Sequence, residues 1–410
     1  MTQLGWIVER EGHHIEAEKM ERQALSGERR ILGPEDPLAL QTVANLAFIV
    51  QSQGHFDEGE KQAREVIEIG SRRLGPESAQ VLQSMHYLAV ALFNQGRYAE
   101  SERESRQLIE VERRVLGPDH PDTLHAMGNL ANAIKAQGRF AEAEQAYRDV
   151  LAADQRVLGP EHPRTATAMS NLANLLSTEG GLADSEKLTR EALAIQLRAL
   201  GPENLYTLVS KSILANVVFE EGHVHESEKL QRETLATMIR VLGPENRDTL
   251  SSQYLLAGIL NREGRYAEAE KLARGAFEIE IRTLGPQHTN TLNALMELGK
   301  ALASTHRYLE ASKLFRDVIE KEKNSGAKGT LWSVWYDFAC VAATANRPDD
   351  ALQYLQEAIN RGYRYADRLM TDEDLKNLRS NPKFQQLVAE LKPPPTNEAQ
   401  TQSSSGPGIR

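Results

Sequence analysis

The chain has few of the features that most enzymes and membrane proteins depend on. Its 410 residues contain one cysteine, Cys340, so no intramolecular disulfide can form. A lone thiol fits a reducing, cytoplasmic compartment. No run approaches the roughly 20 apolar residues that a membrane-spanning helix needs. The start, Met1-Thr-Gln-Leu-Gly-Trp6, has no basic stretch leading into an apolar one, so no signal peptide and no membrane insertion are expected. Lys and Arg number 48 against 58 Asp and Glu, for a net charge of −10, and no basic stripe stands out. Nucleic acid is therefore not an expected partner. Phosphate-binding loops, Gly-x-Ser-x-Gly, His-Glu-x-x-His and dinucleotide fingerprints are all missing. No segment alternates in the manner of a β-strand. These gaps predict a chain that is not an enzyme, with no cofactor and no small-molecule substrate.

What the chain does have is a period. Leu-Gly-Pro begins at Leu32, Leu74, Leu116, Leu158, Leu200, Leu242 and Leu284, always 42 residues apart. Glycines at 12, 54, 96, 138, 180, 222 and 264 keep the same spacing. Two markers in register over most of a chain signify stacked equivalent units and not one globular core.

One unit, 119–160, can be read physically. Pro121 suits the first turn of a helix, where its missing N–H has no partner to lose. Leu124, Leu130, Ala131 and Ile134 follow at helical spacing, which predicts a first helix over about 121–136. Gly138 supplies the left-handed turn. A second helix starts near Phe140, carries Ala143, Tyr147, Val150 and Leu151 on one face, and stops at Leu158-Gly159-Pro160. Small Ala131 and Ala143 allow the two helices to approach closely. Such a hairpin cannot bury its apolar face alone, so the next unit must cover it.

Leu130-Ala131, Ile134, Gly138, Phe140, Ala143 and Tyr147 stand at the spacing of the tetratricopeptide repeat, which the pattern resembles. The 42-residue period and the Leu-Gly-Pro-(Asp/Glu)-His-Pro linker resemble the kinesin-light-chain subtype of that repeat. The resemblance implies an all-α, right-handed superhelical solenoid of helix-turn-helix hairpins. It extends over residues 1–323, whose first repeat reads as truncated before Leu4. The heptad coiled coil that precedes the repeats in true kinesin light chains is absent from this sequence, so the likeness is to the repeat and not to the motor complex.

The full units are 35–76, 77–118, 119–160, 161–202, 203–244, 245–286 and 287–323. In the last, His306 stands where the turn glycine belongs, and Asn324–Gly329 replaces the linker. Residues 331–363 form a further tetratricopeptide unit. Residues 364–392 read as capping helices, with Thr371–Asp374 as a capping box and Asn381-Pro382 opening the final helix. Residues 393–410 are rich in Pro, Ser and Gln and are expected to be disordered. This end resembles the C-termini of bacterial tetratricopeptide proteins, some of which carry an upstream kinase.

In such an array the first helices line a concave groove. On helix 121–136 the groove positions are His125, Gly128, Asn129, Asn132, Lys135 and Ala136. Asparagine recurs there: Asn132, Asn174 and Asn216 lie 42 apart, and Asn45, Asn129 and Asn171 occupy the position three residues earlier. Residues three apart share a helix face. Amides offer donors and an acceptor, which suits the backbone of an extended peptide, and the family resemblance implies that role. The competing expectation is that these amides only tie neighbouring helices together. His86, Phe93, His125, Lys135, Phe219, Tyr254 and Lys300 flank the groove and would set specificity. The linker histidines His120, His162 and His288 sit in separate units, so no metal site is expected. Cys340 reads as core packing.

The expected function is a scaffold that binds a protein or peptide partner in the groove. The alternative is a regulatory segment of a larger signalling protein, with a kinase or NTPase domain upstream of Met1.

Overall fold

The structure, a computed structural model, describes residues 14–286, 288–324 and 331–391. The expectations about the first repeat before residue 14, the linker 325–330 and the tail 393–410 fall outside these. Helix α1 (His14–Ile31) is followed by eight hairpins: α2 (Pro37–Ser52) with α3 (Phe56–Arg73), α4 (Ala79–Asn94) with α5 (Tyr98–Val115), α6 (Pro121–Ala136) with α7 (Phe140–Val157), α8 (Pro163–Thr178) with α9 (Leu182–Leu200), α10 (Leu205–Glu220) with α11 (Val224–Leu242), α12 (Arg247–Arg262) with α13 (Tyr266–Thr283), α14 (Thr289–Ser304) with α15 (Tyr308–Asn324), and α16 (Leu331–Thr344) with α17 (Pro348–Asn360). The chain closes with α18 (Ala366–Thr371), a 3-10 turn (Glu373–Leu378) and α19 (Pro382–Leu391). No strand occurs among the described residues, and none of their helices is long and apolar enough to cross a membrane.

Two reversals per unit demand a left-handed backbone. Gly138 has φ +77° between the helices of its hairpin, and Gly159 has φ +91° between hairpins. The conformation outlasts the glycine. His306 takes φ +61° at the variant turn, and Asn346 takes +56° in the last hairpin. A non-glycine residue pays for that geometry, so the reversal itself is what the stack requires.

In six of the hairpins the residue before the first helix caps it through its side chain. His120, His162 and His288 accept the N–H of the residue two ahead through Nδ1, at 3.2, 3.1 and 3.1 Å. Asn204 and Asn246 do the same through their amide oxygens. The linker histidines are thus committed to satisfying helix-end donors. A threonine one turn later adds a lock: Thr123 donates to the Gly117 carbonyl at 2.9 Å and Thr165 to that of Gly159 at 2.8 Å. At the C-terminal end the cap is Asp372 and not Thr371. Its carboxylate accepts the Asp374 N–H at 2.9 Å, while the Thr371 hydroxyl turns back to the Arg368 carbonyl. Asn381 caps α19 as expected, accepting from the Lys383 N–H.

Packing runs from unit to unit. Ala131, Ile134, Ala143 and Tyr147 of one hairpin form a single buried cluster with Leu172 and Leu175 of the next. First helices touch the first helices of neighbouring units, as α8 touches α10 and α10 touches α12, whereas second helices pack on first helices. The first helices therefore form the inner layer. On the outer layer an arginine–glutamate ladder crosses several of the junctions. Arg106 bridges Glu102 of its own helix and Glu142 of the next unit, both at 2.8 Å. Arg232 repeats this with Glu228 and Glu268, and Arg274 with Glu270 and Glu310. Single exposed pairs are worth little, but a repeating ladder penalises a slipped register.

The C-terminal end is the most apolar. Phe315, Phe338 and Tyr354 stack at 4.8 and 3.9 Å, and Leu375, Leu378, Phe384 and Leu387 cover the last hairpin. Residues 364–391 thus bury apolar surface of the hairpin Leu331–Asn360.

Each second helix also places one residue deep in the junction, and in three units it is an acid: Glu112, Asp154 and Glu280. Arg247 and the Asn290 side chain near Glu280 oppose the effect of its burial without cancelling it. Burial pushes Glu280 up to about 8 and Glu112 up to about 7.

Two expectations follow. Leu172 is 1% exposed, so Leu172→Ala leaves a cavity and costs about 2–5 kcal/mol, read as a lowered midpoint in chemical denaturation. An acid whose folded pKa lies above its unfolded value stabilises the fold at low pH and loses that contribution as pH rises through the folded pKa. The contribution of these two acids therefore declines between about pH 5 and 8, and Glu280→Gln flattens that part of the pH profile. Thermal melts of both proteins across that window check it.

Candidate functional site

The concave surface is built from one face of the inner helices. Its C-terminal part is occupied by the chain itself. The 3-10 turn packs on α16, and Asp374 pairs with the Lys300 ammonium at 2.6 Å. Lys300 also meets Glu297 at 3.3 Å, and the Tyr336 hydroxyl donates to Asp372 at 2.6 Å. Burial pushes Asp337 up to about 7. Glu220 is raised as well, first by burial, with Arg262 and Lys300 opposing and Asp372 and Asp374 reinforcing. Cys340, Asp372 and Asp374 come within 4.8 Å of one another, but the Lys300 ammonium already supplies the positive charge there. Burial holds the Cys340 thiol well above its usual range, which disfavours the reactive thiolate.

The part of the groove on α2–α10 is different. Asn45 accepts from Gln41 at 3.1 Å, and Gln41 reaches Gln83 of the next unit at 3.3 Å. Gln83 in turn donates to the Tyr87 hydroxyl at 3.0 Å. The Asn129 amide lies 3.2 Å from His86 Nε2, and the His86 and His125 rings are 4.3 Å apart. Burial, with His125 adding to it, pushes His86 down to about 3, so it is neutral. Asn132 does not face away from the second helix as its spacing suggests. Its oxygen accepts from the Tyr147 hydroxyl on α7 at 2.6 Å. Asn45, Asn129 and Asn132 are thus held by the chain.

Asn171, Asn174 and Asn216 are not. Among the described residues their side chains make no hydrogen bond within the chain, and Asn174 is exposed. Lys135, between them and the histidine pair, makes no ion pair among the described residues, and burial pushes it down to about 8. Of the other flanking positions, Phe219 carries the Arg262 guanidinium 4.9 Å above its ring, and Tyr254 is buried. All six asparagines lie on the first helices of their hairpins. Sequence spacing could not say which would be tied, because that depends on what the adjoining helix presents opposite each one.

Models of the tetratricopeptide repeat match residues 80–156, 129–198 and 248–321, with a second model of the same repeat matching 40–80 and 207–248. Together they span more than half of the chain. The chain is a tetratricopeptide repeat protein. As such it is a protein-interaction scaffold in the general sense. A model described as an A/B hydrolase-like N-terminal domain also matches 289–398. In this tetratricopeptide protein the described residues of that stretch are helical, from α14 through α19.

Among solved structures, nearly identical TPR-like repeats from Podosopora anserina, named for the kinesin light chain, are 28% identical, over 49% of this chain and 96% of theirs, with a TM-score of 0.38. BtubC (BKLC) from P. vanneervenii is 18% identical over 56% of this chain and 93% of its own, with a TM-score of 0.43. The apo form of the quorum sensor NprR from B. thuringiensis is 13% identical over 78% of this chain and 86% of its own, with a TM-score of 0.54. The NprR overlay supports the solenoid fold and nothing finer. No curated protein matches the chain by sequence.

The two classes of asparagine should separate on substitution. Asn132→Ala strips the buried Tyr147 hydroxyl of its acceptor and costs about 1–3 kcal/mol. Asn174→Ala removes an exposed amide and stays within about 0.5 kcal/mol of wild type. Urea unfolding of the two variants checks the contrast.

Proposed function

We propose that this protein is a non-catalytic scaffold that binds an extended peptide segment of a partner protein in its concave groove. The observation that carries the reading is the set of free amides, Asn171, Asn174 and Asn216, on successive inner helices. An extended backbone presents alternating N–H and C=O groups, and an amide side chain can meet either. Residues three apart share a helix face and residues 42 apart share a register position, which supports one strand of peptide laid along the stack. Asn45, Asn129 and Asn132 are instead tied to neighbouring side chains of the chain. His125 and Lys135 border the free amides and would discriminate among peptide side chains. A half-buried ammonium with no internal partner gains most from a ligand that offers it an acceptor.

The test is binding by a folded groove variant. Wild type, an Asn171→Ala/Asn174→Ala/Asn216→Ala variant and a Lys187→Ala variant on the outer helix α9 are compared for retention of partner proteins, with helix content checked by circular dichroism. The expected result is a partner held by wild type and by Lys187→Ala and lost from the triple variant. Equal retention by all three contradicts the groove assignment.

A further inference from the structure

A solenoid unit ordinarily touches only its neighbours, yet three contacts here join residues far apart in the chain. The Tyr98 hydroxyl at the start of α5 meets the Thr289 hydroxyl at the start of α14, 191 residues on, at 2.5 Å. Arg247 at the start of α12 donates to the Asn94 side chain at the end of α4. The Tyr365 hydroxyl donates to the Gly138 carbonyl at 3.3 Å across 227 residues, and its ring lies 6.1 Å from that of Phe140. All three follow one geometry. The turn edge of units 77–118 and 119–160 abuts the opposite edge of the units, and then of the cap, that come one superhelical turn later. Gly138 is fitted to this contact. A Cβ there would lie 1.8 Å from the Tyr365 hydroxyl, whereas one at the equivalent turn glycines Gly54, Gly180 and Gly222 meets nothing within 4 Å.

We propose that this seam is a clasp: it holds the superhelix in a closed turn and gates lateral access to the concave groove. Curvature in a solenoid is the sum of small rotations at each junction, so a slight relaxation shared among junctions separates edges that are four or five units apart. The seam opposes that relaxation with a few side-chain contacts at the protein edge, a class of structure that opens at low free energy. Any groove ligand flanked by folded domains must then load through the opened clasp. The seam geometry is independent of which partner the groove holds, and the gating role rests on the groove being the binding surface.

Three measurements on the full chain test it. In Tyr98→Cys/Thr289→Cys, mild oxidation is expected to form an intramolecular disulfide, seen as faster migration on a non-reducing gel. The single variants should not shift, since Cys340 is buried. Gly138→Asn should keep the turn, because asparagine tolerates positive φ as Asn346 does, while displacing Tyr365. It is expected to raise the radius of gyration in X-ray scattering with helix content unchanged. Finally, in an Asn174→Cys background, adding Gly138→Asn should speed labelling by a polyethylene-glycol maleimide several-fold and leave labelling by N-ethylmaleimide unchanged. A folded double-cysteine protein that does not cross-link overturns the clasp. So does a folded Gly138→Asn protein with the wild-type radius of gyration, or equal labelling by the bulky reagent with and without Gly138→Asn.

Discussion

A hairpin of two helices has one apolar face more than it can bury. That shortfall is the constraint on which the rest of this protein depends. Leu172 and Leu175 complete the core of the hairpin before them, and each following unit repeats the arrangement. The left-handed turns, the N-caps and the arginine ladder act in support: they fix the angle and register at which one hairpin meets the next. After the hairpin Leu331–Asn360 the chain changes character. Stacked aromatics and the short helices of 364–391 take over the covering role.

Stacking creates a surface as a by-product, and the chain treats its two parts differently. Near the C-terminal end Lys300 pairs with Glu297 and Asp374, and Asp372 accepts from Tyr336, so that part is structural. Further toward the N-terminus the polar groups thin out into a tied set, Asn45, Asn129 and Asn132, and a free set, Asn171, Asn174 and Asn216. Polar side chains left unpaired on a rigid, concave wall are where a scaffold can accept a ligand without first breaking its own contacts. The seam adds a second control, on whether the wall can be reached.

Much of this architecture was legible in the sequence because it is local and periodic. The helix expected over 121–136 is Pro121–Ala136, and the helix expected to start near Phe140 does so. The arginine ladder was also legible and was missed: Arg22, Arg64, Arg106, Arg148, Arg190, Arg232, Arg274 and Arg316 keep the 42-residue period, but charged helix faces read by themselves look merely solvated. Three features could not be read. Asn132 turns toward Tyr147 because of how two helices are rotated against each other, and no spacing rule specifies that. Asp372 displaces Thr371 as the cap because α18 continues through Thr371. The seam depends on angles summed over four or five junctions, so residues 191 and 227 apart meet with no pattern linking them.

The central claim is that ligands lie against the free amides of the inner layer. A photoreactive amino acid placed at Asn174, and separately at Lys187 on the outer helix, puts a covalent reporter on each face. After irradiation in the source cell, the account predicts partner adducts from position 174 whose linked peptides map to one continuous segment of the partner, and none from position 187. Adducts formed only from 187, or equally from both, would contradict it.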